Sequence, residues 1–165
     1  MKSELILHLG SNLGNRLNYL NAALKMIESE LGRIDKTSSI YETRAWGNTS
    51  QPDFLNVAIA LKCNREPDWI LTTLKAIESK IGRQKREHWF EREIDIDIIF
   101  YGSLILKEEK LIIPHQMMHL RKFVLVPVNE IYPDYVHPVL NQNVSELLHH
   151  CQDNLEVKLW KPSSI

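Results

Sequence analysis

Cysteine is scarce. The 165-residue chain carries two, Cys63 and Cys151, too few and too far apart for a disulfide framework, and Met1 to Leu9 lacks the basic start and long apolar run of a secretory leader. A reduced, cytoplasmic protein is expected. Long hydrophobic runs are missing as well, each being broken by Asp, Lys or Pro well before the ~20 residues that a bilayer requires. No membrane association is expected. Charge of one sign is not in excess, with 20 Lys and Arg against 21 Asp and Glu, so no global field draws in a nucleic-acid backbone. Any anion site is local. Absent too are the Walker pattern Gly-X-X-X-X-Gly-Lys-Ser/Thr, a kinase-type glycine loop, the nucleophile pattern Gly-X-Ser-X-Gly and any cysteine in an activating setting. P-loop phosphate binding and covalent catalysis fall away. With no repeat, no low-complexity tract and no Pro- or Gly-rich linker, residues 1–165 are expected to form a single domain, working as a monomer.

What is present is 44% hydrophobic and 25% charged residues, enough for a real core. The pattern then sets the elements. Leu5 to Leu9 reads as a strand ended by Gly10-Ser11-Asn12, and Leu17, Leu20, Leu24, Ile27 and Leu31 fall at helical steps over residues 15–31, with Gly32 as C-cap. Ile34 to Tyr41 reads as a second strand. Phe54 to Lys62 alternates, with Leu55, Val57, Ile59 and Leu61 on one face and Phe54 and Asn56 on the other. Pro67 opens a second helix, marked by Ile70, Leu74, Ile77 and Ile81 and ended by Gly82. A further strand runs from about Ile94 to Tyr101. This order predicts an α+β, ferredoxin-like βαββαβ unit, an antiparallel sheet with helices on one face and the other face free for chemistry. The C-terminal segment reads as irregular, with short strands near Ile105 and Ile112, a turn at Pro114 and a helix around residues 144–151.

Period two in Glu93-Ile94-Asp95-Ile96-Asp97-Ile98-Ile99 sets Asp95 and Asp97 on one face and the isoleucines in the core. Two carboxylates then project side by side. Same-face neighbours have Cβ atoms about 7 Å apart, so their oxygens can hold two metals roughly 3.5–4 Å apart. An isolated Asp-X-Asp in a strand is more often a solvated face. Here the segment breaks local preference twice, because Asp is a poor strand former and like charges this close repel. Such violations tend to mark sites.

Upstream, residues 82–92 lack helical periodicity and carry Arg83, Lys85, Arg86 and Arg92, a basic loop able to offer cations to a triphosphate. Alone, a charged loop is usually just solvated. Pro114 to Phe123 gathers a His, an Arg and an aromatic in one irregular segment. His115 and His119 stand four apart, but without a neighbouring Glu or a third ligand zinc is rejected.

Together the motifs Gly10-Ser11-Asn12-Leu13, Ser39-Ile40-Tyr41-Glu42-Thr43, Gln51-Pro52-Asp53-Phe54-Leu55-Asn56, Gly82-Arg83, Arg92-Glu93-Ile94-Asp95-Ile96-Asp97-Ile98, Pro114-His115 and Arg121-Lys122-Phe123-Val124-Leu125-Val126-Pro127 make the chain resemble the 6-hydroxymethyl-7,8-dihydropterin pyrophosphokinases of folate biosynthesis. The likeness runs from about Leu5 to His150. It implies transfer of pyrophosphate from ATP to the hydroxymethyl group of the dihydropterin, with AMP as the other product. It also implies that Asp95 and Asp97 bind two Mg²⁺ ions, with Arg83 and Arg92 catalytic beside them. The pterin would lie between Phe54 and Phe123 and be read by Thr43, Asn56 and the backbone near Trp46. Glu78, Lys85, Trp89, Ile98, Lys110, His115 and Arg121 would surround ATP, Glu78 from the exposed side of its helix. The family pattern Arg-Trp-Gly-Pro-Arg stands here as His88-Trp89-Phe90-Glu91-Arg92.

Two other readings share some of these features. Another two-metal nucleotidyl or phosphoryl transferase would use the same carboxylate pair. An RNA-binding module on this fold would want exposed aromatics and a basic sheet face, where this chain sets Asp95 and Asp97.

Overall fold

The computed structural model describes residues 1–45, 50–84 and 91–162. Its centre is β1 (Ser3–Ser11), flanked antiparallel by β4 (Phe54–Cys63) and β5 (Asp95–Tyr101). Two helices, α1 (Arg16–Leu31) and α2 (Pro67–Ile81), cover one face. Asn15 starts α1 by accepting the Asn18 N–H at 3.1 Å, and Gly82 ends α2 at φ 114°, a left-handed turn that glycine adopts without strain. Leu55, Val57, Ile59 and Leu61 point to this helical layer with Leu5, Leu7, Ile96 and Ile98. Each such side chain, fully buried, contributes about 1.5–3 kcal/mol.

The expected strand from Ile34 to Tyr41 is two strands, β2 (Ile34–Thr37) and β3 (Tyr41–Thr43), both on β4. Between them the chain carries one residue more than its partner. Ser38 holds the junction, its N–H donating to the Ala58 carbonyl and its hydroxyl accepting the Ala58 N–H. A short β8 (Val157–Leu159), not foreseen, adds to β3, giving the order β5-β1-β4-β3-β8. The first four positions are those of the ferredoxin-like unit.

The expectation of a free second face does not hold. After a small hairpin of β6 (Leu106–Lys107) and β7 (Ile112–Ile113), the chain forms α3 (Lys122–Ile131) and α4 (Val144–His150), which pack on that face. Ile6, Ala58, Ala60, Ile99 and Phe100 meet Val124, Leu125, Val128, Val144 and Leu147 there. A register shift between Ile6 and Leu7 inserts an extra residue on β5, so Ile99 and Phe100 both join this cluster. Cover is incomplete. The end of the sheet formed by His8 and Gly10, Phe54 and Asn56, and Asp95 and Asp97 lies beyond the helical cluster, and there the candidate residues gather.

Candidate active site

Asp95 and Asp97 stand on one face of β5 as expected, with Gly10 and His8 opposite them on β1. Arg92 Nη1 reaches Asp95 Oδ2 at 2.6 Å, and Arg83 Nη1 reaches Asp95 Oδ1 at 3.2 Å. Arg83 also binds Glu78 Oε1 at 2.8 Å. Glu78 corrects an expectation: it is not on the exposed side of α2 but 3% exposed. Its Oε2 accepts the Ile96 N–H at 2.7 Å, so α2 faces β5 through this carboxylate. The energetic reason is that a buried acid is tolerated when both oxygens are used.

The two aspartates differ in charge state. Burial alone would raise Asp95, but Arg92 and Arg83 outweigh it and hold its carboxyl below the usual range. Among the described residues Asp97 has no such pair, and burial, followed by repulsion from Asp95 and Glu78, pushes it up to about 8. The pocket is therefore short of positive charge at Asp97. A divalent cation supplies what is missing, and hard carboxylate oxygens suit Mg²⁺, so the residues fit that ion. Among the described residues no three His, Cys, Asp or Glu gather as a metal cage.

On the other side, Asn56 is buried, its Nδ2 donating to Thr43 Oγ1 at 3.0 Å and to the Tyr41 carbonyl at 3.2 Å. Gly10 lies between this pair and Asp95. A Cβ on it would stand 3.3 Å from the Phe54 ring, so glycine keeps the floor low beside an aromatic wall. Phe123, in the first turn of α3, meets the His8 ring edge-on with centroids 5.5 Å apart, and Arg121 lies 5.8 Å from its centroid. His115 fixes its segment to the sheet, donating its N–H to the Ile99 carbonyl at 3.0 Å. Burial and then the Arg121 charge lower it to about 4, leaving a neutral imidazole. Ile98 sends its side chain into the opposite core, and only its backbone can face a ligand here. Lys110 is exposed in the turn between β6 and β7.

Trp46, Lys85 and Trp89, with the rest of the basic segment 85–90, lie outside the described residues. Two residues acquire roles that motif reading had not given them. Asn12 accepts the Arg92 N–H at 2.8 Å, donates its own N–H to the Arg92 carbonyl at 3.1 Å and ties its amide to Gln51 and Pro52; it seats Arg92 over Asp95. The signal was its place in the turn after β1. The other is His8, a polar residue in an apolar strand, which is 3% exposed and lowered to about 4 by burial.

Compared with known proteins, residues 6–133 match the family of 7,8-dihydro-6-hydroxymethylpterin-pyrophosphokinase. The chain is 37% identical over 140 residues to 2-amino-4-hydroxy-6-hydroxymethyldihydropteridine pyrophosphokinase of Aquifex aeolicus, covering 85% of this chain and 87% of that one. The Haemophilus influenzae enzyme of the same name is 40% identical over 153 residues, covering 92% and 94%. Among solved structures, wild-type HPPK-DHPS of Plasmodium falciparum superposes with a TM-score of 0.71 at 19% identity, covering 90% of this chain and 44% of that one. The chain thus spans less than half of that solved protein, and the likeness to it is one of fold.

Proposed function

The chain belongs to the 7,8-dihydro-6-hydroxymethylpterin-pyrophosphokinase family, and from that premise we propose how its residues divide the transfer of pyrophosphate from ATP to hydroxymethyldihydropterin. The observation that carries the reading is the pair Asp95 and Asp97 on one strand face, with Arg83 and Arg92 on one side and the Asn56–Thr43 pair on the other. Acid and anion binders meet a polar, aromatic-walled slot.

In this reading the hydroxymethyl oxygen attacks the β-phosphorus of ATP, the bond from that phosphorus to the oxygen bridging it to the α-phosphate breaks, and AMP leaves. The hydroxyl proton is released to solvent. Asp95 and Asp97 would hold two Mg²⁺ ions, which when bound would supply charge compensation for the phosphates and the attacking oxygen. Arg83 and Arg92, now paired with Asp95, exchange part of that pairing for phosphate. Phosphoryl transfer needs little covalent help from protein, so cations in place account for most of the rate. Phe54 and Phe123 stack on the pterin while Asn56 and Thr43 read its polar edge. Arg121, His115, Lys110 and the Ile98 backbone line the nucleotide side, where Lys85 and Trp89 are proposed to join them, as Trp46 does for the pterin. Glu78 serves ATP indirectly, by holding Arg83. The working unit is a cytoplasmic monomer that uses neither nucleic acid nor membrane.

The test is product analysis with ATP, Mg²⁺ and the hydroxymethyl dihydropterin. AMP must appear in step with the pterin, and label placed in the γ-phosphate must end on the pterin. ADP as the nucleotide product overturns the reading.

A further inference from the structure

His8 has no part in the division of labour above. On β1 it is opposite Asp97 on one side and Ala58 on the other, and its ring meets Phe123 edge-on, centroids 5.5 Å apart at 61°. A leucine would fill this place against Ala58 and Phe123. An imidazole buried there is destabilising for each polar atom left without a partner.

The Phe123 backbone carbonyl stands beside the ring and favours a proton on it, and it is open to accept because Pro127, four residues on inside α3, has no N–H to give it. Nε2 is buried without a hydrogen-bond partner among the described residues. By elimination Nδ1–H faces Phe123, and the neutral ring then carries its lone pair on Nε2. An acceptor is stored at the floor of the site.

The sheet register says which part of a ligand comes near it. Asn56 pairs with Gly10, Gly10 with Asp95, and His8 with Asp97. A flat ring stacked between Phe54 and Phe123 and held at its polar edge by Asn56 therefore crosses Gly10 with its reacting end toward the carboxylates. Phe123, the ring that now lies against His8, is also the wall such a ligand must meet. That end bears a hydroxyl, the donor that an unpaired acceptor lacks.

Resting on the pterin reading above, we propose that His8 Nε2 accepts a hydrogen bond from the hydroxymethyl O–H, turning an oxygen lone pair toward the phosphate and selecting hydroxymethyl over methyl pterins. His8 is thus a substrate-orienting and specificity-determining residue. A site built to bond a hydroxyl rejects the analogue without it far more strongly than an apolar pocket does, because its own polar atom is then left bare.

Calorimetric titration with 6-hydroxymethylpterin, 6-methylpterin and a non-hydrolysable ATP analogue with Mg²⁺ tests this on the full chain. The unmodified protein is expected to favour the hydroxymethyl compound by about tenfold or more. His8→Asn, which keeps a donor near Nδ1 and removes the Nε2 acceptor, is expected to erase that preference and leave methylpterin and nucleotide binding unchanged. His8→Gln, whose amide oxygen can reach the Nε2 position, is expected to keep part of it, and carries the test if His8→Asn does not fold. Equal loss for both pterins, or an unaltered preference in His8→Asn, overturns the inference in favour of plain packing. No preference in the unmodified protein also overturns it while sparing the pterin reading; binding of neither pterin sinks both.

Discussion

Burial, Asp95 and Glu78 all oppose ionisation of Asp97, so in the free protein its proton stays on up to about pH 8. In the unfolded chain it leaves near 3.8. Between these values the native state binds more protons, and stability falls as pH rises. His8 and His115 act with the opposite sign, since their folded values of about 4 lie below the ordinary 6.5. Their contribution rises with pH and is complete by about 6.5, which leaves pH 6.5 to 8 to Asp97. Melts in chelator are expected to show Tm falling over that window, the fall largely absent in Asp97→Asn and reversed by Mg²⁺. A flat profile in the unmodified protein defeats the charge assignment. For activity, Asp95→Ala and Asp97→Ala should each lower kcat on the order of 10²–10³-fold, as loss of a charge-stabilising contact does, while circular dichroism stays native. Near-normal turnover in either would remove that aspartate from the metal site.

The helix α3 depends on small residues beneath it. Ala58 and Ala60 on β4 are fully buried under Val124, Leu125 and Val128, and their size lets the helix lie close to the sheet. Ala58→Leu is expected to cost about 1–3 kcal/mol by overpacking and, by lifting the turn that carries Phe123, to weaken pterin binding well beyond nucleotide binding. Equal losses for the two ligands would show that α3 does not set the pterin wall. This element was also the least legible in the sequence. The alternation of β4, the three-and-four spacing of α1 and α2, and the carboxylate pair of β5 could all be read, because each buries one clean face. In α3 apolar residues run almost unbroken from Phe123 to Val128 with Pro127 inside, which erases the period and mimics a loop. Glu78 is hard to place for a related reason: its side-chain chemistry argues for solvent, and the partners that reverse it are Arg83, just past the end of α2, and the Ile96 N–H of β5. The one-residue excess between β2 and β3 is hidden too, since Ser38 mends the ladder with its side chain and leaves the apolar pattern intact.

Viewed as a whole, the molecule is two hydrophobic clusters on opposite faces of one sheet, and the proposed site draws on both. Glu78 and Arg83 come with the α1–α2 layer, Asp95, Asp97 and Asn56 from the sheet, and His115, Arg121 and Phe123 from the chain that covers the second face. Neither layer alone holds the set. Opening the second face would also expose Ile6, Ala58, Ala60, Ile99 and Phe100 to water, at a cost in apolar hydration that the remaining contacts cannot offset. Because β1, β4 and β5 carry core residues on both faces, loss of one cluster loosens the strands that the other packs on, and the two layers should melt together. Ligands that bind only the complete site then stabilise the whole chain. At 100 times their Kd this amounts to about 2.7 kcal/mol, which for a chain of this size is roughly a 5–10 °C rise in Tm. Calorimetry is expected to show one transition, with the calorimetric and van't Hoff enthalpies agreeing, displaced upward as a unit by a non-hydrolysable ATP analogue, Mg²⁺ and 6-hydroxymethylpterin together. Two transitions, of which ligands move only one, would mean that the layers fold separately and that the site belongs to one of them.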